Sequence, residues 1–98
     1  MYSNMERKRN KLEVIRDILL VIQERNGRAK PTRILYKSNL SHIMMKEYIQ
    51  DLISRGLIKE NRAKEGRTYA ITEKGSKYLS EYSTIVNFME SFGLNEEE

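Results

Sequence analysis

The spacing of apolar residues predicts a helix over residues 11–25, near the start of the chain. Apolar side chains recur there every three or four residues, which is typical of the buried face of an amphipathic helix. They are Leu12, Ile15, Ile18, Leu19 and Ile22. Asn26 and Gly27 predict the end of this helix, because glycine adopts the left-handed cap conformation at little cost.

Two more helices are predicted after this stop. Pro31 suits the first turn of a short helix over residues 32–37, where its missing N–H costs nothing. Ser41 is a good N-cap for a third helix over residues 42–55, which Gly56 ends. We expect the following side chains of this region in the core: Ile34, Leu35, Tyr36, Met44, Met45, Tyr48, Ile49, Leu52 and Ile53.

A hairpin and a long helix complete the pattern. Residues 57–61 and 67–71 are extended segments on either side of a glycine-containing loop, which is typical of a hairpin. Thr72 is the expected N-cap of a last helix over residues 73–92. Its apolar side chains alternate between steps of four and three residues, which is the seam of a coiled coil. The seam is formed by Tyr78, Tyr82, Ile85, Met89 and Phe92.

This last helix is long for so small a body. A helix of roughly 20 residues is about 30 Å long. The rest of the chain is too small to cover the whole apolar face of such a helix easily. We therefore expect the seam to pair with a second copy of the chain by two-fold symmetry. The alternative is that the helix folds back over the first helix.

The net charge of +4 conceals an uneven distribution of charge. All 18 lysines and arginines lie within residues 1–77, which carry a net charge of +9, whereas residues 78–98 carry −5. A basic body is typical of a module that faces a polyanion, although basic residues also keep small proteins soluble.

Missing residue types narrow the range of functions. The chain of 98 residues has no cysteine, which excludes disulfides, thiolate catalysis and cysteine-ligated zinc. His42 is the only histidine, so we expect no metal site. The sequence has no phosphate-binding glycine loop, no nucleophile–histidine–acid set and no apolar run of about 18 residues. We expect no enzyme, no cofactor, no small-molecule ligand and no membrane span, and a cytoplasmic location.

The order of the elements is that of a winged helix-turn-helix. The sequence thus predicts an α+β, mostly helical fold with a two-stranded wing and a long C-terminal coiled-coil helix. In this arrangement the second helix of the turn enters the DNA major groove and the wing follows the backbone. Basic residues cluster where such docking needs them. The expected DNA-binding residues are Lys30, Arg33, Lys37, Ser41, His42, Lys46, Gln50, Arg62, Lys64 and Arg67.

The outer face of the third helix is poor in groups that read bases. Arginine or lysine on guanine, and asparagine or glutamine on adenine, are the usual contacts. Only Lys46 and Gln50 qualify on this face, which also carries His42, Ile43 and Glu47. We therefore expect weakly specific or shape-based binding. Ser41 is expected to serve mainly as the cap of the helix.

Three stretches carry a family resemblance: residues 30–41 (KPTRILYKSNLS), 48–58 (YIQDLISRGLI) and 69–75 (YAITEKG). They resemble archaeal winged-helix proteins with a C-terminal coiled-coil helix, which are small DNA-binding proteins of the chromatin-associated type. The resemblance covers about residues 11–92. It implies an antiparallel coiled-coil dimer that presents two winged helices to duplex DNA.

The resulting organisation has four parts. They are a flexible basic arm (1–10), the winged helix (11–72), the dimerisation helix (73–92) and an acidic tail (93–98). The expected function is double-stranded DNA binding by a nucleoid-associated homodimer, in chromatin architecture or transcription regulation. The alternative is a protein-interaction module of a transcription assembly that does not touch DNA, since a fold alone does not decide function.

Overall fold

The computed structural model describes residues 9–94, which form four helices and one two-stranded antiparallel sheet. The elements are α1 (Lys11–Glu24), α2 (Pro31–Lys37), α3 (His42–Ser54), β1 (Ile58–Ala63), β2 (Gly66–Ile71) and α4 (Glu73–Ser91). This is the predicted winged helix-turn-helix, with the predicted long helix at its C-terminal end.

Polar side chains set the starts of three helices. The Ser41 hydroxyl accepts a hydrogen bond from the Met44 N–H at 3.1 Å, and the Thr72 hydroxyl accepts one from the Gly75 N–H at 3.1 Å. Both caps were predicted and are confirmed. Asn10 caps α1 in a reciprocal pair with Glu13, with distances of 2.8 and 3.0 Å. Each bond satisfies an N–H group that the helix itself leaves without a partner.

The predicted helix stops are also confirmed. Asn26 and Gly27 both adopt positive φ angles, of 56° and 89°, directly after α1. At the end of α3, Gly56 has a φ of 78°, and the next residue turns back onto the helix. The Leu57 N–H donates to the carbonyl oxygen of Leu52 at 2.9 Å, and the Leu57 side chain is buried.

The core lies between α1 and the inner faces of the other elements. Ile18, Leu19 and Ile22 of α1 are fully buried, with Leu52 of α3 and Ile58 of β1. Val14 and Val21 also lie inside, so α1 buries a wider face than the predicted repeat. Leu12 was expected in the core but is 55% exposed, because it lies in the first turn at the edge of that face.

Two other core expectations are wrong. Tyr36 is 78% exposed, because the seven-residue helix α2 buries only Ile34 and Leu35 on its inner face. Met44 is 42% exposed, because the inner face of α3 is occupied by Ile49 and Leu52 and by the partly buried residues beside them.

The wing is tighter than predicted. Ladder pairing runs from Ile58 opposite Ile71 to Ala63 opposite Gly66, so Lys64 and Glu65 alone form the turn. A further short bridge joins Ala29 to Tyr69, with the Tyr69 N–H donating to the Ala29 carbonyl oxygen at 2.8 Å. The segment before α2 is thereby attached to β2, which lies between this segment and β1.

The predicted flexible arm is corrected at its inner end. Arg9 is held against the body by an ion pair with Asp17 at 2.6 Å and a hydrogen bond to the Ser38 carbonyl oxygen at 2.8 Å. Asn10 is the cap of α1. Both residues are therefore part of the folded body. The rest of the predicted arm, including Arg7 and Lys8, lies outside the described residues.

Candidate nucleic-acid interface

The outer face of α3 is open to solvent. Ile49 and Leu52 are buried on its inner side, which directs His42, Lys46 and Gln50 outward, and all three are exposed. Ile43 lies on the same open side and is 72% exposed. These four residues were predicted on this face, and their exposure confirms the prediction.

A groove of about 720 Å³ separates α3 from the wing. Its polar side chains come from α3 on one side and from the two wing strands on the other. Ile49, Ile53 and Tyr69 contribute the apolar part of the lining. The groove thereby brings together five of the predicted binding residues: His42, Lys46, Gln50, Arg62 and Arg67.

Glu60 was not predicted, and it changes the electrostatics of this groove. Its Oε2 atom lies 2.8 Å from Nε of Arg62 and 3.8 Å from Nε of Arg67. The two arginines are direct cross-strand partners, a placement in which like charges repel. The carboxylate offsets this repulsion. The sequence did contain a signal for the Glu60–Arg62 ion pair. The two residues are two positions apart, which places both side chains on one face of a strand.

The remaining predicted residues are divided among three places. Lys64 is exposed in the turn at the wing tip. Lys30, Arg33 and Lys37 lie around α2, where they line a second depression next to the groove. Ser41 serves as the cap of α3, as the sequence analysis favoured.

The two ends of helix α4 have different environments. Near its start, Gly75 is buried and the Tyr78 hydroxyl donates to the Leu12 carbonyl oxygen at 2.9 Å. Burial raises the pKa of Tyr78 above its usual value, with a further contribution from Tyr82 and an opposing one from Arg16. A tyrosine hydroxyl is protonated at neutral pH even at its usual pKa, and the raised pKa of Tyr78 extends the pH range over which it remains a donor. The start of α4 therefore packs on α1, which was the alternative to pairing with a second copy of the chain.

The far end of α4 exposes large apolar side chains. Ile85 is 58% exposed, Phe88 57% and Phe92 65%. Tyr82 and Met89 are half-buried, and the Arg16 guanidinium lies 5.1 Å from the centre of the Tyr82 ring. Phe88 was missed because it lies outside the chosen seam, although it stands three residues after Ile85 and four before Phe92.

The described part of the chain has neither a metal-binding cluster nor a helix suited to crossing a membrane. Residues 9–94 contain no cluster of three or more histidine, cysteine or acidic side chains suited to a metal ion. Within the same residues, every helix is too short or too polar to cross a membrane.

These features define a winged helix-turn-helix protein, and the chain belongs to that family, whose model matches residues 8–90. It is 39% identical over 88 residues to the uncharacterized protein MJ0287 of Methanocaldococcus jannaschii, covering 90% of this chain and 84% of that one. The archaeal resemblance in the sequence is thus confirmed.

Solved structures share the fold. Sso10a-2, a DNA-binding protein from Sulfolobus solfataricus, superposes with a TM-score of 0.74 at 20% identity, over 92% of this chain and all of that one. The transcriptional repressor CouR, solved on a 23-mer DNA duplex, superposes with a TM-score of 0.69 at 20% identity, over 83% of this chain and 58% of that one.

Proposed function

We propose that this chain binds double-stranded DNA as a homodimer, with α3 in the major groove and the wing along the backbone. The observation that carries the proposal is the groove between α3 and the wing. It places Lys46, Arg62 and Arg67 along one open edge of the molecule. Neutralised phosphates supply most of the affinity of such interfaces. Sso10a-2 and CouR, which share the fold, are described as DNA-binding and DNA-bound.

Recognition of sequence by this surface is weak. Lys46 and Gln50 are the exposed side chains of α3 that can make the usual base contacts. Ile43 adds an apolar group that can contact a thymine methyl, whereas Glu47 repels phosphates. We infer a nucleoid-associated role in the cytoplasm, in chromatin architecture or transcription regulation, and assign no catalytic function.

The test is a titration of random-sequence duplexes at several salt concentrations. We expect affinity that falls steeply with salt and varies little between duplexes. Lys64→Ala is expected to lower the salt slope by about one and to weaken binding uniformly across sequences. Lys59→Ala, which removes an exposed charge from the other face of the wing, is the control. A change in sequence preference at an intact slope would contradict the assignment of Lys64 to phosphate.

Removing the Glu60 carboxylate should tighten DNA binding. In Glu60→Gln, Arg62 and Arg67 lose the anion that occupies them, and we expect affinity at about 100 mM salt to rise roughly three- to tenfold. Folding stability should fall by only about 1 kcal/mol or less, because the pairs are partly exposed. Fluorescence anisotropy and thermal melting measure the two effects.

Glu65→Gln is the matched control for this change. It removes the same charge from the exposed turn of the wing, beside the arginines but without an ion pair to them in the described structure. We expect it to change affinity much less. Equal gains from the two variants would show that overall charge, rather than release of the arginines, sets the affinity.

The homodimer part of the proposal rests on the far end of α4. Three large side chains are more than half exposed there, and burial of each is worth about 1.5–3 kcal/mol. A two-fold pair of α4 helices buries them on both copies at once. We propose an interface of Tyr82, Ile85, Phe88, Met89 and Phe92, with Tyr78 at its edge.

A protein-interaction module remains the second candidate. The exposed apolar side chains of Ile43 and Met44 on α3 favour it, because apolar contacts form the centre of protein interfaces. The same titration separates the two functions. A chain that binds no duplex at low salt would support the protein-interaction module.

A further inference from the structure

Arg9 joins two separate parts of the folded body. Its Nη1 atom lies 2.6 Å from Oδ2 of Asp17 in α1. Its Nη2 atom donates to the carbonyl oxygens of Ser38, at 2.8 Å, and Asn39, at 3.2 Å. These two carbonyls belong to the turn between α2 and α3. A single guanidinium group therefore ties α1 to the turn from which α3 starts.

Asp17 extends this contact to α4. Its Oδ1 atom accepts a hydrogen bond from Nε of Arg16 at 2.9 Å, while its other oxygen holds Arg9. The Arg16 guanidinium in turn lies 5.1 Å from the centre of the Tyr82 ring of α4, which is within the range of cation–π attraction. We call Arg9, Asp17 and Arg16 the α1 ion-pair network. It connects the turn before α3, across α1, with the long C-terminal helix.

The turn between α2 and α3 needs this support. Asn39 adopts a φ of 56°, a left-handed conformation that costs free energy for a residue with a Cβ atom. The last carbonyl groups of a helix have no partner within it, and Arg9 supplies donors to the two carbonyls directly after α2. Ser38 is 1% exposed, so water cannot easily replace the donor at its carbonyl. Loss of Arg9 would leave the turn less firmly held.

Arg9 is poorly placed to contact DNA itself. Both of its Nη atoms are occupied by Asp17 and the turn carbonyls, and its side chain is 28% exposed, against 75% for Arg62 on the wing. The Asp17 carboxylate directly beside it repels phosphates, because like charges repel. Any contribution of this network to DNA binding therefore acts through the orientation of α3 and not through a phosphate contact.

We propose that Arg9 and Asp17 are positioning residues for DNA binding, which hold the turn, and through it α3, in the orientation that docking in the major groove requires. This inference rests on the proposed DNA binding and adds two residues that act on it without touching the duplex. A loosened turn spreads α3 over several orientations, and the affinity falls by the fraction of molecules that are ready to bind. The number of neutralised phosphates in the complex, and hence the salt slope, stays the same.

The test is Asp17→Asn in the same duplex titration. General electrostatics predicts tighter binding, because the variant has one anion fewer. The proposal predicts the opposite. An asparagine amide turns N–H donors toward one of the two guanidinium groups, so the network opens. Affinity at about 100 mM salt should then fall roughly three- to tenfold at an unchanged salt slope.

Hydrogen exchange gives a second readout, which does not depend on DNA. The Leu40 N–H donates to the Leu35 carbonyl oxygen at 3.1 Å within the turn, and its exchange should be faster in Asp17→Asn. Exchange at Ile22, in the core of α1, should change much less, because the opening is local. Thermal melting checks that the variant is folded at the temperature of the titration.

Arg9→Gln tests the other side of the same ion pair. Arg9 precedes α1, so the helix should persist, which thermal melting checks. We expect a similar loss of affinity at an unchanged slope, whereas loss of a phosphate contact would lower the slope by about one. Combining Arg9→Gln with Asp17→Asn should weaken binding little beyond either change alone, because both changes break one contact.

Glu24→Gln is the matched control. It removes an exposed anion of the same helix that forms no ion pair within residues 9–94, and we expect affinity equal to or slightly above that of the wild type. Binding by Asp17→Asn as tight as that of this control, or a slope lowered by about one in Arg9→Gln, would overturn this inference and leave the proposed DNA binding standing. A wild-type chain that binds no duplex overturns both proposals.

Discussion

Gly75→Ala is expected to destabilise the fold by about 2 kcal/mol or more, even though alanine is the better helix former by about 1 kcal/mol. A Cβ atom at this position would overlap the carbonyl oxygen of Leu57 and lie 2.7 Å from Cγ1 of Ile71. The Leu57 carbonyl cannot easily retreat, because it accepts the backbone N–H of Thr72 at 3.1 Å. For a domain of this size, the melting temperature should fall by about 10 °C or more.

Ser76→Ala is the control for this variant. Ser76 is the next residue of the same helix turn and is exposed, so its replacement by alanine should leave the melting temperature within a few degrees of the wild type. Both variants should be melted at one protein concentration, since a dimer adds its own contribution to stability. If Gly75→Ala matched the wild type, the close approach of α4 to Leu57 would not be a constraint on the fold.

Much of the fold could be predicted because its boundaries are set by local chemistry. The hydroxyls of Ser41 and Thr72 cap their helices by accepting hydrogen bonds from backbone N–H groups three residues further along the chain. Asn26-Gly27 and Gly56 end helices through their own backbone conformation. These signals act over a few residues, so they can be read from the chain without knowledge of tertiary contacts.

What could not be predicted depends on pairing between distant segments. The exposure of Tyr36 follows from which side of a seven-residue helix faces α1. The pairing of Glu60 with both wing arginines required the two-residue turn, whereas the sequence predicted a longer loop. The docking of Arg9 on the Ser38 carbonyl spans 29 residues. Each is a tertiary choice that hydrophobic periodicity does not encode.

The same limit applies to the candidate site. Charge and residue order predicted a set of candidate DNA-binding side chains, and five of these candidates line one groove. They did not show that Lys30, Arg33 and Lys37 lie in a separate depression with Arg25. Whether a cation is already paired decides how much of its charge is available to DNA, and pairing is visible only in the folded chain.

Ile85→Glu is expected to convert the proposed dimer to a monomer and to cause a large loss of DNA affinity. The side chain is 58% exposed in the single chain, so the change should spare the protomer while placing a charge in the proposed α4 interface. Sedimentation should show a mass near 11.6 kDa instead of twice that value. When two linked domains both bind the same duplex, their affinity exceeds that of one domain by about 10²–10⁴-fold. The monomeric variant should therefore lose affinity by a factor in that range.

Two further variants identify the face of α4 that is responsible. Phe88→Glu should also give monomers, because Phe88 shares the exposed apolar stripe with Ile85. Ser83→Glu introduces the same charge on the opposite side of the helix, where Ser83 is exposed, and should leave both the mass and the affinity unchanged. A wild-type mass in Ile85→Glu and Phe88→Glu would contradict this interface. Monomers that keep the full affinity would show that each winged helix binds DNA alone, and the salt slope of the wild type would then belong to a single protomer.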